Sequence, residues 1–168
     1  MSYDEHISAA ESIVAGCAII TLSDTRTAET DKSGQQIREM LIAASQIVAE
    51  CRLIRDEPAQ LLACLKEFAT REDIDVILTN GGTGISQRDQ TIDVLQKLIE
   101  HELPGFGELF RMLSWGQIGS GAMLSRAIAG TIGNQIIFAM PGSTKAVQLA
   151  MEKLILPQLK HLVAELRK

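Results

Sequence analysis

Short apolar runs alternate along this chain with stretches whose apolar residues recur at helical spacing. GCAIITLS (residues 16–23) and DVILTN (residues 75–80) are continuous apolar runs ending in polar residues, the pattern of strands buried on both faces. Between them, Ser33 with Gln36 three positions on has the form of a capping box, and Ile37, Met40, Leu41 and Ala44 follow. The spacing predicts a helix starting near Ser33. IVAECRLIR (residues 47–55) alternates as a strand does, and Pro58 then opens a helix with Leu61, Leu65 and Phe68 on one side. Thr91 is placed to cap a further helix, with Ile92, Leu95 and Ile99 facing inward and Pro104 ending it.

Residues 125–132 and 135–140 are two more apolar runs around Gly133-Asn134, a hairpin signature. Pro141-Gly142-Ser143 turns the chain into a last helix that faces inward through Val147, Ala150, Met151 and Leu154, and Pro157 is expected to kink or break it. Strands alternating with helices of this length predict the α/β class: a three-layer α/β/α sandwich with a mainly parallel sheet. Residues 105–124 fit neither period throughout, although they hold Phe106, Phe110, Met112, Leu113, Trp115, Met123 and Leu124. Two readings stay open for them: a helix and loop completing the core, or a contact between subunits.

A chain of 168 residues, 46% of them hydrophobic, suits a single domain over residues 1–168, with residues 1–14 read as a loosely ordered N-terminal extension. The net charge of −5 and the lack of any basic run argue against a nucleic-acid surface, since phosphate backbones attract stripes of Lys and Arg. The apolar stretches are too short to span a bilayer, and MSYDEHISAAES lacks the basic-then-apolar order of a signal peptide. A cytoplasmic protein without a membrane partner is expected. Cys17, Cys51 and Cys64 share no metal-ligand spacing, and His6, His101 and His161 are equally scattered, so none is assigned to chemistry.

The chemistry gathers in TNGGTGISQRDQT (residues 79–91), a glycine-rich turn after one buried strand and before a helix. In open α/β sheets ligands bind at the carboxyl ends of the strands, where glycines let backbone N–H groups approach an anion. Gly81, Gly82, Thr83 and Gly84 can therefore cradle a phosphate, although a strand-to-helix turn needing positive φ explains the same glycines. The spacing is neither that of the nucleotide P-loop nor that of the dinucleotide fingerprint. Arg88 adds a cation and Asp89 a carboxylate suited to a hard metal ion. Asp56 closes the preceding strand, Ser23-Asp24 the first, and Gly142, Ser143, Thr144 and Lys145 follow the last. For Asp56 and Asp89, helix N-capping is the competing explanation.

Together TNGGTGISQRDQT, PGFGELFRMLSW (residues 104–115), LSRAIAG (residues 124–130) and MPGSTKA (residues 140–146) resemble the MoaB/MogA family of molybdopterin-binding proteins, over residues 16–159. The resemblance implies the α/β/α fold, a homotrimer or homohexamer, and a place in molybdenum cofactor biosynthesis. From the family's adenylyltransferase side it implies that Asp56 and Asp89 are the acidic residues linked to Mg²⁺ and turnover, with Gly81, Gly82, Thr83 and Gly84 as the phosphate turn. It further implies that Ser23, Asp24, Ser125, Gly142, Ser143 and Lys145 line the pterin or nucleotide region. The chain departs from that side in reading QTIDV after Asp89 instead of VTPD, and in lacking a second proline in PGSTKA. The expected activity is Mg²⁺-dependent adenylylation of molybdopterin by ATP, with no nucleophilic side chain and with Lys145 or Arg88 offsetting charge. The alternatives are a pterin-binding protein without turnover and an oligomeric scaffold for other proteins of the pathway.

Overall fold

The computed structural model describes residues 10–168, so most of the extension expected over residues 1–14 lies outside the described residues. One six-stranded sheet organises the chain, in the order β2-β1-β3-β6-β5-β4. Its strands are β1 (Gly16–Leu22), β2 (Ile47–Ile54), β3 (Val76–Asn80), β4 (His101–Glu102), β5 (Ile128–Ile132) and β6 (Gln135–Met140). β2, β1, β3 and β6 run parallel, while β5 and β4 are antiparallel additions. The Gly133-Asn134 hairpin sets the β5–β6 register, pairing Ile132 with Gln135, and Gly133 takes φ 56° there.

Period-two alternation splits the core into two faces. Cys17, Ile19, Val76, Leu78, Ile136 and Phe138 pack on one side with α1 (Lys32–Ala43), α4 (Pro104–Ile118), α5 (Thr144–Ala150) and α6 (Leu156–Leu166). Ala18, Ile20, Ile77, Ile137 and Ala139 pack on the other with α2 (Pro58–Phe68) and α3 (Thr91–Leu98). The architecture is the three-layer α/β/α sandwich.

Four local expectations are corrected. Asp31, not Ser33, caps α1 by accepting from the Gly34 N–H at 3.1 Å, and the Ser33 hydroxyl instead donates across to Asn80 of β3 at 2.8 Å. Thr91 is the first residue of α3 and does not cap it. Pro104 opens α4, because the first helical position needs no N–H, and the chain before it forms the short β4. Pro157 does not break the last helix: α5 continues into α6 through a π turn, Met151–Ile155, whose wider ring accommodates the missing N–H.

Residues 105–124 complete the core with only part of their apolar side chains. Phe106 and Phe110 enter the core, whereas Leu109, Met112, Trp115, Ile118, Met123 and Leu124 on α4 and the following 3-10 turn (Gly119–Leu124) are exposed. Among the described residues, no helix is long and apolar enough to cross a membrane.

Candidate functional site

All four parallel strands end at one edge of the sheet, where the turns after them carry Ser23, Asp24, Asp56, Gly81, Gly82, Thr83, Gly84, Arg88, Asp89 and Gly142, while Ser125, Ser143 and Lys145 line the cleft beside it. Backbone bonds first fix the strand ends. Ser23 N–H donates to Ile54 O at 2.9 Å and Gly81 N–H to Met140 O at 3.1 Å, so the turns after β1, β2, β3 and β6 are tied together. Ser23 Oγ accepts from the amides of Thr25 and Arg26, turning the loop after β1 back over the edge.

In this turn glycine is required by space as well as by φ. Gly81 and Gly82 adopt φ 103° and 64°, a region that residues with a side chain seldom enter. A Cβ on Gly81 would fall 2.2 Å from Leu22 O, and one on Gly82 would fall 2.1 Å from Thr91 Oγ1 and 2.7 Å from Asp56 Oδ1. The bare Cα of Gly82 thus lets the β2 end and the start of α3 close on the turn. Thr83 is buried. Thr91 is also buried, and its hydroxyl has no hydrogen-bond partner among the described residues.

The acidic residues differ sharply in environment. Asp24 Oδ2 accepts from Arg88 Nη2 at 2.7 Å and Nε at 3.2 Å, and its Oδ1 accepts from the Asp56 N–H at 3.2 Å. The Arg88 guanidinium holds the Asp24 carboxyl below its usual range. Arg88 therefore stands already paired, bridging the loops after β1 and β3. Asp89 is held low by hydrogen bonds from Ser86, whose amide reaches Oδ2 at 3.0 Å. Asp56 moves the other way: burial pushes it up, and the like charges of Asp89 and Asp24 add to that. No hydrogen bond to its carboxylate is found among the described residues. Neither acid caps a helix, since the caps of α2 and α3 are Glu57 and Gln90. The capping explanation for Asp56 and Asp89 is thereby removed.

Could this set hold Mg²⁺? No cluster of three or more His, Cys, Asp or Glu is close enough to bind a metal alone among the described residues. Mg²⁺ ordinarily takes one or two carboxylates and completes its shell with water and substrate phosphate. Unpartnered Asp56, with Asp89 within its field and Thr91 Oγ1 nearby, suits that partial donor set.

Beside this cluster, α4 and α5 enclose a cleft of about 670 Å³ lined by Phe110, Ser114, Ser125, Pro141, Ser143 and Lys145. Ser143 caps α5 by accepting from the Ala146 N–H at 3.2 Å, and Lys145 is exposed on the first turn. Gly142 joins the two regions: a Cβ there would lie 3.3 Å from the Gly81 Cα. A larger depression of about 870 Å³ lies at the opposite end of the sheet, but its Arg71 and Arg167 are already paired with Asp73 and Asp75.

Two arginines escaped the sequence reading. Arg26 donates to Ser33 Oγ, to Asp31 Oδ1 at 3.3 Å and to Gly142 O at 2.7 Å, bracing the last turn against the first loop. Arg126 reaches the glycine loop from the other side. Their acceptors include backbone carbonyls far away in sequence, which no motif spells out.

The family described as "Probable molybdopterin binding domain" matches residues 18–161. The chain is 52% identical to molybdenum cofactor biosynthesis protein B of Bacillus anthracis, over 100% of this chain and 99% of that protein. A crystal structure of a molybdenum cofactor biosynthesis protein B superposes with a TM-score of 0.89 at 51% identity, covering 92% of this chain and 97% of the other. The tungsten cofactor synthesizing protein MoaB from Pyrococcus furiosus superposes with a TM-score of 0.82 at 34% identity, covering 92% and 98%.

Proposed function

Because the chain belongs to the molybdopterin-binding domain family, on the side of molybdenum cofactor biosynthesis protein B, we propose that it acts in molybdenum cofactor biosynthesis, adenylylating molybdopterin with ATP. The terminal phosphate of the pterin attacks the α-phosphorus of ATP, the bond to the bridging oxygen breaks, and pyrophosphate leaves. Such transfers need positioning and charge neutralisation more than covalent help from the protein. In the turn of Gly81, Gly82, Thr83 and Gly84 the Gly81 amide is already given to Met140 O, so the Gly82 and Thr83 amides would meet a phosphate; the cleft at Ser125, Ser143 and Lys145 would seat the pterin, and Lys145, in place of the Asp24-paired Arg88, would meet developing charge. A Mg²⁺ ion held by Asp56 and Asp89 would supply charge neutralisation on the phosphates. In this reading the protein is a cytoplasmic homotrimer or homohexamer, its subunits meeting through the exposed face of α4.

The observation that carries the reading is Asp56: a carboxylate that accepts no hydrogen bond among the described residues, raised by burial and by Asp89, at the mouth of a glycine turn. A structural acid would be paired; one poised for a cation is left open. Incubating the protein with molybdopterin, ATP and Mg²⁺ tests it. Pyrophosphate and adenylylated pterin formed only with Mg²⁺ are expected. Tight pterin binding without pyrophosphate would replace this reading with that of a binding protein, and absence of both would leave the scaffold role that the apolar face of α4 favours.

A further inference from the structure

Arg126 lies between the 3-10 turn and β5 and has no part in the reaction as described above. Its guanidinium donates through Nε to Gly84 O at 3.0 Å and through Nη2 to Asp89 O at 2.6 Å. The same group meets the Asp93 carboxylate through Nη1 at 3.2 Å and Nη2 at 3.0 Å. The two carbonyls bracket residues 84–89, a loop outside any helix or strand that carries the last turn glycine, Arg88 and Asp89. Within the loop, the Ser86 amide donates to Asp89 Oδ2 and the Asp89 amide to Ser86 O, both at 3.0 Å.

Asp93, on the first turn of α3, neutralises the guanidinium, so Arg126 adds little positive field at the strand ends. What remains is shape. Three nitrogens in one rigid plane make four hydrogen bonds to the groups of three residues, which a single flexible ammonium cannot reproduce. The Arg126 fork spans the loop at both ends and anchors it to α3.

We propose that Arg126 is a positioning residue, a clamp that fixes residues 84–89 so that Asp89 and the glycine turn meet the phosphates in register. It acts through the loop and touches no substrate. This rests on the phosphate-transfer reading of the site. Misplacement of a reacting group by about 1 Å is enough to cost roughly 100-fold in rate.

The test compares the parent with Arg126→Lys and Arg126→Ala, by pyrophosphate release and by hydrogen exchange at the Ser86 and Asp89 amides. Both variants are expected to lose about 100-fold in kcat, the scale of such a misplacement, with both amides exchanging faster. Millimolar guanidinium, far below denaturing concentrations, should restore part of the rate and protection to Arg126→Ala, and methylammonium should not. Arg126→Lys that stays within about threefold of the parent rate, a barrier change below about 0.7 kcal/mol, would overturn the clamp, as would failure of guanidinium to restore Arg126→Ala. If Arg126→Ala does not fold, Arg126→Lys decides alone. If the parent releases no pyrophosphate, the adenylylation reading fails, and exchange then judges the clamp: unchanged protection in Arg126→Lys overturns it, and lost protection supports it.

Discussion

Asp56 and Asp89 are proposed to act together on one ion, yet the fold treats them oppositely, and their amide variants should part accordingly. Asp56 holds its proton more tightly when folded than when unfolded, because burial and two neighbouring acids oppose its charge. Its stabilising contribution is complete below the ordinary carboxylate range and is lost as pH rises through its raised pKa. At pH 7, Asp56→Asn should therefore melt at a higher temperature than the parent while losing turnover. That gain should disappear in melts below about pH 4, where the parent acid is also neutral. Asp89 is held low by Ser86, so Asp89→Asn loses stabilisation present above the ordinary carboxylate range. The isosteric amide keeps one acceptor for the Ser86 amide, so a charge-assisted hydrogen bond becomes a neutral one and the loss should be about 1 kcal/mol. Its rate should nevertheless fall about 100-fold, a barrier of ~2.7 kcal/mol. Thermal midpoints beside pyrophosphate release check both variants, and an Asp89→Asn rate near that of the parent would remove its charge from the chemistry. These two acids and the glycine turn were legible because motif residues at strand ends gather at one edge. The pairing of Arg88 with Asp24, and the bracing by Arg26, were not: each joins loops that are distant in sequence and meet only once the sheet forms.

At the scale of the element, the start of α1 shows why a local motif can mislead. Ser33 and Gln36 have capping-box spacing, but Asp31 reaches the Gly34 amide first, leaving the serine free to bond β3. Asp31→Ala should cost about 1 kcal/mol, whereas Asp31→Asn should cost only a few tenths, since Asn caps about as well. In a domain of this size the alanine variant should melt about 2–4 °C lower. Equal midpoints for the two variants would show that the cap matters little. The last helix was legible in its inner face but not in its continuity past Pro157. Val147, Met151, Ile155, Leu159 and Val163 are all buried, and they recur strictly every fourth residue. A regular α-helix turns about 100° per residue, so each step of four over-rotates by about 40°. Over the whole row Val163 would drift about 160° from Val147. The π turn absorbs one residue, about 100° of that drift, and keeps the row against the sheet. An unbroken four-residue spacing was thus the signal for the wide turn that a proline rule alone did not supply.

For the molecule as a whole, the alternation of strands and helices was enough to give the three layers, because burial on both faces of a parallel sheet leaves a strong apolar signature. β4 was hidden because two residues, both exposed, carry no such signature. Assembly is the property that α4 puts to test. Trp115 is 64% and Met112 62% exposed, side by side with Leu109, a larger apolar display than an isolated chain needs. Trp115→Glu should shift sedimentation of micromolar protein from the proposed trimer or hexamer toward a species near the 18.3 kDa chain, with the helical circular dichroism intact. A parent already monomeric would rule that interface out. The same helix turns Phe110, Ser114, Gln117 and Ile118 into the cleft. Under the proposed assembly, whatever settles against one side of α4 would stiffen the wall of the other, so occupancy of the cleft and association of subunits would be thermodynamically linked, each favouring the other by the same factor. Pterin added to dilute protein should draw it into the assembled form, and its apparent affinity should weaken on dilution.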